Sequence, residues 1–599
     1  MREVKKINFL LVLLTQLAVT GVVLAAGPPS TEPWRPGPDQ SNSFSVLLSP
    51  GVAPCAVHVN ALRFPLNSGT PLTTRYDWDF GDPGSKFNTL TGFNAAHVFE
   101  HEGRFTITLK VTDETGAARS ATASLVISGD RRREYFVSPE GSDRNVGTSP
   151  DAPFQSLDRA FKTAGESSEI LLRAGVTYRA DNVLKVSKSD LVIGRYGEGA
   201  DPIVMLGRGE GAKPPHGFIS IDQRCNGVMI QHVTFDTPFA VEENAEAPKV
   251  GIDAIVARGR NITVRDCTFL NVDNAVNANG SPIGLLVLNC KAPLKTGLRA
   301  YLVWTQGSDF VCLGNSAANS TREHIVRLSG VERALIAGNT FTNLDRRPGD
   351  KYDTSKGTIE MHNGSYAYIA GNDVTGGTIR VGPLGLHNED ASAATDWSVI
   401  EDNRVNGTYI VAYAGSHHVM IRNNIIRNDA AQVIQLQGPN QQGQINGDIH
   451  ILNNTAIDNG ETGAFLKLWG HNDGVELKNN LYVAPHLKLG VNGAAAVNCA
   501  EPDLSSFTEI DHNIWPNFGT QSGFLLENHQ PKLEEAVFPQ IKGDMHANLT
   551  VDDRGMPPVG SDADGHGMVL SSVPLDFAGN HRSATHPCIG ALEIPTHAP

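Results

Sequence analysis

Through the middle of the chain, apolar and polar residues alternate for a few positions, the run bends, and the pattern begins again. FVCLGNSAAN (310–319), ALIAGNTFTN (334–343), AYIAGNDVTG (367–376), SVIEDNRVNG (398–407), VMIRNNIIRN (419–428), IHILNNTAID (449–458) and VELKNNLYVA (475–484) share this form. Each is a short strand followed by an asparagine: Asn315, Asn339, Asn372, Asn403, Asn424, Asn454 and Asn480. Their spacing, between about 21 and 33 residues, is that of a solenoid with loops of varying length. One such strand cannot bury its apolar face alone, but a stack can. The pattern therefore predicts a rod of coils in which equivalent residues line up in columns about 4.8 Å apart. The asparagines are expected to form a ladder of inward amides that satisfies backbone groups at one corner.

The ends of this region carry a more specific signal. YFVSPEGSDRNVGTSPDAPFQSLDRAFKTA (135–164) reads as a strand, a Gly/Pro/Asp loop and a short helical face made by Phe154, Leu157, Ala160 and Phe161. Near the other terminus stand Asp576-Phe577-Ala578-Gly579-Asn580-His581-Arg582 and Ile589-Gly590-Ala591-Leu592-Glu593. Both ends resemble those of secreted right-handed parallel β-helix proteins of the pectate-lyase-like kind, which implies that fold over residues 134–595.

Residues 42–129 form a different unit. Tyr76-Asp77-Trp78-Asp79-Phe80-Gly81-Asp82, His97-Val98-Phe99, Gly103-Arg104-Phe105 and Val111-Thr112-Asp113 alternate with turn residues as in a β-sandwich. This unit resembles the PKD domain, with Phe99 and Phe105 in place of two tyrosines. The resemblance implies a spacer or a carbohydrate-surface accessory domain. Because repeat domains take their stability from their own neighbours, the unit is expected to be separable from the rod. Asp79 and Asp82 are expected to stabilise the turn.

The fold class expected is thus all-β: a PKD-like sandwich followed by a right-handed parallel β-helix solenoid. Residues 1–26 read as a secretory signal, with Arg2, Lys5 and Lys6 before the apolar run Phe9–Ala26, and residues 27–41 as a Pro-rich linker. Export to the medium, the periplasm or the cell surface is expected, with no membrane span after signal removal. A formal charge of −15 argues against nucleic acid as a partner. The 7 cysteines contain no CxxC pair, so a zinc site of that type is not indicated. Cys267 and Cys290 are expected to stack inside the rod as small apolar residues. A monomer is expected.

Counting eleven residues back from the asparagines gives an inward column of Trp304, Leu328 and Met361, continued by strand pattern through Val381, Ala412, Leu436 and Leu468. The residues on either side must then face outward. One flanking column reads Val303, Arg327, Glu360, Arg380, Val411, Gln435 and Lys467, and the other Thr305, Ser329, His362, Gly382, Tyr413, Gln437 and Trp469. No other phase of the repeat gathers as many reactive groups. Long insertions at 342–357, with Arg346 and Arg347, and at 383–396 border the same coils.

This set suits an acidic polysaccharide cut by β-elimination. Arg327 or Arg380 neutralises a uronate carboxylate, His362 or Lys467 removes the C5 proton, and Tyr413 protonates the leaving O4. Glu360 orients the base or ligates Ca²⁺. Trp469 stacks on a sugar, and Arg322, His324, Arg346 and Arg347 line the groove. TIEMHNG (358–364) followed by GGTIR (376–380) is similar to a region of the chondroitinase B and alginate lyase family, which implies a lysine base, an arginine and a calcium neutraliser; here His362 stands where that family has arginine. The alternatives are a hydrolase or epimerase on the same groove, or a non-catalytic glycan-binding or cell-surface protein.

Overall fold

The computed structural model describes residues 22–24, 44–48, 51–206, 217–237, 252–293, 301–318, 324–343, 357–382, 395–428, 432–440, 443–527, 530–531 and 538–595. Within the expected signal segment, Val22–Leu24 pair in parallel with Ala123–Leu125; the rest of that segment and of the expected linker lies outside the described residues. No helix among those described is long and apolar enough to cross a membrane.

From Arg133 onward the chain is a parallel β-helix of three sheets. Each coil adds one strand to each sheet, so strands pair with their equivalents one coil away rather than with their sequence neighbours. The first sheet, here the site sheet, includes Gly357–Met361, Thr378–Val381, Ile410–Ala412, Ile434–Leu436 and Ala464–Leu468. The second includes Gly364–Ala370, Thr395–Glu401 and Ser416–Arg422. The third runs as 14 strands from Thr177–Ala180 to Met545–His546. Inward Val, Ile, Leu and Phe side chains from all three make one continuous core. The helix Leu157–Thr163, capped by Ser156, buries Leu157 and Ala160 against the first coils.

The asparagine ladder is regular. From Asn339 to Asn480, every Oδ1 accepts from both the backbone N–H and Nδ2 of the asparagine one coil earlier, at 2.9–3.1 Å. It extends beyond Asn480 to Asn513 and stops at Asp544, whose carboxylate accepts but has no amide to pass on. At its other end Cys290, which itself occupies the ladder position, donates its N–H to Asn315 at 2.8 Å. Cys267 sits one coil further back in the same column, since Thr268 pairs with Lys291. All seven cysteines are free and buried.

Asn403 illustrates what the ladder contributes. Its amide accepts from Asn372 twice and donates to Ile369 O, Glu401 O and Asn424 Oδ1. Asn403→Leu strips the buried Asn372 N–H of its acceptor, and each such orphan costs about 1–3 kcal/mol. Urea unfolding is expected to register a loss at least that large; an unchanged midpoint and slope would deny the ladder any part in stability.

The sandwich is not a pendant spacer. Gly103–Thr112 pairs antiparallel with Ala118–Ile127 and Arg75–Asp79, and Cys55–Asn60 with Asn94–Phe99. Its core runs on into the outward face of the second sheet, where Leu286, Val311, Leu335, Tyr368, Val399 and Met420 are buried. Phe93 meets Tyr366 and Tyr368 edge-on, at ring-centroid distances of 5.6 Å. Asn94 Nδ2 donates to Phe310 O, and Asn261 Nδ2 to Ala56 O. In the sandwich turn, Asp79 Oδ1 accepts from Gly81 N–H and Asn88 Nδ2, while Asp82 faces His97 Nε2 at 3.0 Å.

The C-terminal tail returns along the coils and ties them laterally. Arg582 donates to Gly590 O, Ala591 O and Asn423 Oδ1, and Asp576 accepts from the backbone of Ala578, Asn580 and Glu593.

Candidate functional site

Pairing on the site sheet puts Arg327, Glu360, Arg380, Val411, Gln435 and Lys467 in one column, each the Cα partner of the next. The first member differs from expectation. Trp304, not Val303, pairs with Arg327, and Val303 is in the core. The cause is an irregularity: between Thr305/Gly307 and Leu328/Val331 the register shifts by one residue, so a fixed count back from Asn315 lands one position off. His362 follows its strand, with its N–H on Leu328 O at 2.9 Å. The chain then turns at Gly364, whose φ is +133° and where a Cβ would lie 2.1 Å from Val331 O.

Four of the expected residues converge. Glu360 is 0% exposed, His324 0%, Arg380 2% and His362 6%. They face outward from the rod's core, as alternation requires, yet they are buried; the expectation of solvent-exposed groups is corrected. Glu360 Oε2 lies 3.1 Å from His324 Nδ1 and 3.3 Å from Arg380 Nη1, and Oε1 lies 3.2 Å from His362 Nε2. His324 Nδ1 is also 2.7 Å from Gly357 O. A carbonyl only accepts, so that nitrogen carries a hydrogen. A buried carboxylate of this kind persists because a guanidinium and imidazole N–H groups compensate it.

Arg380 Nε donates to Thr378 Oγ1, whereas Nη2 is buried without a hydrogen-bond partner among the described residues. Tyr413 lies against the same guanidinium, Cζ being 5.4 Å from the ring centroid. On the other side Arg327 donates to Tyr301 Oη and Ser329 Oγ, each at 3.3 Å, and lies 5.3 Å from the Trp304 ring centroid. Trp304 Nε1 is a second buried donor lacking a partner among the described residues. Tyr301 and Trp304 were not foreseen: Tyr301 carries no repeat signal, and Trp304 was assigned to the wrong face. Lys467 and Trp469 are not part of the cluster. They stand further along the face, Lys467 three pairings beyond Arg380, at roughly 14 Å. Arg322, Arg346 and Arg347 lie outside the described residues.

His324, Glu360 and His362 form a set whose donor atoms all lie within 4.8 Å of one another. Calcium does not fit it: Ca²⁺ takes six to eight oxygen ligands, and here two of three donors are nitrogen. Two imidazoles and a carboxylate match a zinc-class ion instead, though Arg380 already neutralises the carboxylate. Zinc added to the protein is therefore expected to bind the imidazoles in competition with Glu360, reversibly on chelation, and calcium is expected not to bind there. Calcium binding at these residues, read by calorimetry, would overturn this donor-set argument.

Residues 59–128 match the family model described as PKD domain. Among solved structures, the GH136 lacto-N-biosidase from Eubacterium ramulus is 15% identical, over 59% of this chain and 67% of its own, with a TM-score of 0.40. The family 28 exopolygalacturonase of Yersinia enterocolitica is 12% identical, over 86% and 100%, with a TM-score of 0.40. The tailspike protein of E. coli bacteriophage HK620, in complex with a pentasaccharide, is 13% identical, over 68% and 71%, with a TM-score of 0.39.

Proposed function

We propose that the protein cleaves a uronate-containing polysaccharide by β-elimination at the cluster of His324, Glu360, His362 and Arg380. The observation that carries this reading is the buried Arg380 Nη2, a charged donor with no acceptor among the described residues, beside an imidazole backed by a carboxylate. A uronate carboxylate fills such a donor and, by losing negative charge to it, acidifies the C5–H. His362 takes that proton. Glu360 faces its Nε2 at 3.2 Å, which orients the ring and directs Nδ1 to the proton. Tyr413, whose ring lies 5.4 Å from the Arg380 guanidinium, delivers a proton to O4 as the bond from C4 to O4 breaks. Arg327 and Trp304 bind the neighbouring sugar. His324 holds Glu360 in place and does not touch substrate.

The test is turnover of a panel of uronate polymers by the purified protein. Elimination leaves an unsaturated uronate at the new non-reducing end, read by its ultraviolet absorbance. New reducing ends without that chromophore would replace elimination by hydrolysis. Saturable binding with no product would make the protein a glycan-binding one.

A further inference from the structure

We infer that the same face carries a distal subsite, built by Trp469, Lys467 and Gln437, that holds a second acidic sugar of the same glycan about four residues from the reacting one. The inference rests on the glycan reading above and deepens it. His362, Gly382, Tyr413, Gln437 and Trp469 follow one another in a single column, their N–H groups donating to Leu328, Met361, Val381, Ala412 and Leu436. Four strand spacings separate His362 from Trp469, roughly 19 Å. A pyranose advances a glycan by about one such spacing, so a chain laid along the column meets each row in turn.

Three observations mark the far end as built for a ligand. Trp469 is 51% exposed and is the one aromatic among the large exposed apolar side chains of the described residues. A lone exposed apolar residue is ordinary on a protein surface, but this ring is held: Lys467 Nζ sits 3.9 Å from its centroid. The ammonium occupies one face and leaves the other for the C–H face of a sugar. Between Tyr413 and Trp469, Gln437 Oε1 is buried without a hydrogen-bond partner among the described residues. An orphaned acceptor there suits a sugar hydroxyl, which donates. Burial also pushes the Lys467 ammonium below its ordinary value, a penalty that a uronate carboxylate beside it would remove.

The geometry reassigns Lys467. At its distance from Arg380 it cannot reach the C5 proton of the sugar whose carboxylate Arg380 holds, so it is a recognition residue and not the base.

The experiment is a length series of uronate oligomers with wild type, Trp469→Ala, Trp469→Tyr and Lys467→Met. Wild-type kcat/KM should climb as the oligomer grows long enough to span the four rows. Trp469→Ala should raise KM about tenfold on long chains with kcat little changed, and leave short oligomers untouched. Trp469→Tyr should restore most of the loss. Lys467→Met should weaken long acidic chains and flatten their salt dependence. If no glycan is cut, the series is read as binding by calorimetry with His362→Ala, so that failure of the chemistry and failure of the subsite are separate results. Equal losses on short and long oligomers, or none on either, would overturn the subsite.

Discussion

Arg380→Ala should abolish turnover and also destabilise the fold by about 3–5 kcal/mol, the usual cost of removing one partner from a buried ion pair. From strand alternation alone this residue would be taken for an exposed one, with a stability effect below about 0.5 kcal/mol. Its burial changes the expectation. Without the guanidinium, Glu360 stays fully buried with its negative charge facing two imidazoles and no fixed cation. The companion variant Arg380→Ala/Glu360→Gln should regain much of the lost stability, because it removes the stranded charge, but none of the activity. Thermal unfolding and turnover measured on the same preparations separate the two effects. A fully active Arg380→Ala protein would end the site assignment, and a stable but inactive one would end the ion-pair argument alone.

Removal of residues 42–129 should leave the β-helix aggregation-prone. A free-standing accessory domain would come away cleanly, but this sandwich shares one buried core with Leu286, Val311, Leu335, Tyr368, Val399 and Met420, all at most 1% exposed. Fully burying each such side chain is worth about 1.5–3 kcal/mol, and baring them together makes a contiguous apolar patch larger than soluble monomers carry. The deletion also withdraws Arg75, whose charge helps hold the buried Glu401 carboxyl below its ordinary range, where burial would otherwise raise it. Replacing Leu286, Leu335 and Met420 by glutamine in the truncated chain should recover solubility. A truncated protein that is soluble and monomeric, with the unfolding temperature of the whole, would show that the contact carries no weight.

The shared core runs against the separability expected from the chain, for a definable reason. Leu286, Leu335 and Met420 alternate with core residues, and a strand buried on both faces reads as a continuous apolar run. Runs of this kind occur in ALIAGN (334–339) and VMIRNN (419–424), where the residues between the inward positions are apolar too. That was a legible sign of a covered second face, but nothing in the residues said that the sandwich was the cover.

What the chain determined by itself was whatever depends on local period. Strand alternation, the asparagine corner, the capping helix and the turn chemistry of the sandwich are all encoded within a few residues, and the coils repeat them often enough to be read. The column of Arg327, Glu360 and Arg380 followed from the same periodicity, because stacking parallel strands turns a shared phase into spatial adjacency. Tertiary structure decided what periodicity cannot carry. One shifted register moved Trp304 from the core to the site, since a single residue reverses the face of a strand. His324 reached Glu360 from just before the strand Val326–Ala337, at a position no repeat specifies. Burial turned outward residues into a paired ionic cluster, because exposure is set by everything that packs over a side chain, and that is a property of the whole fold rather than of its neighbours in sequence.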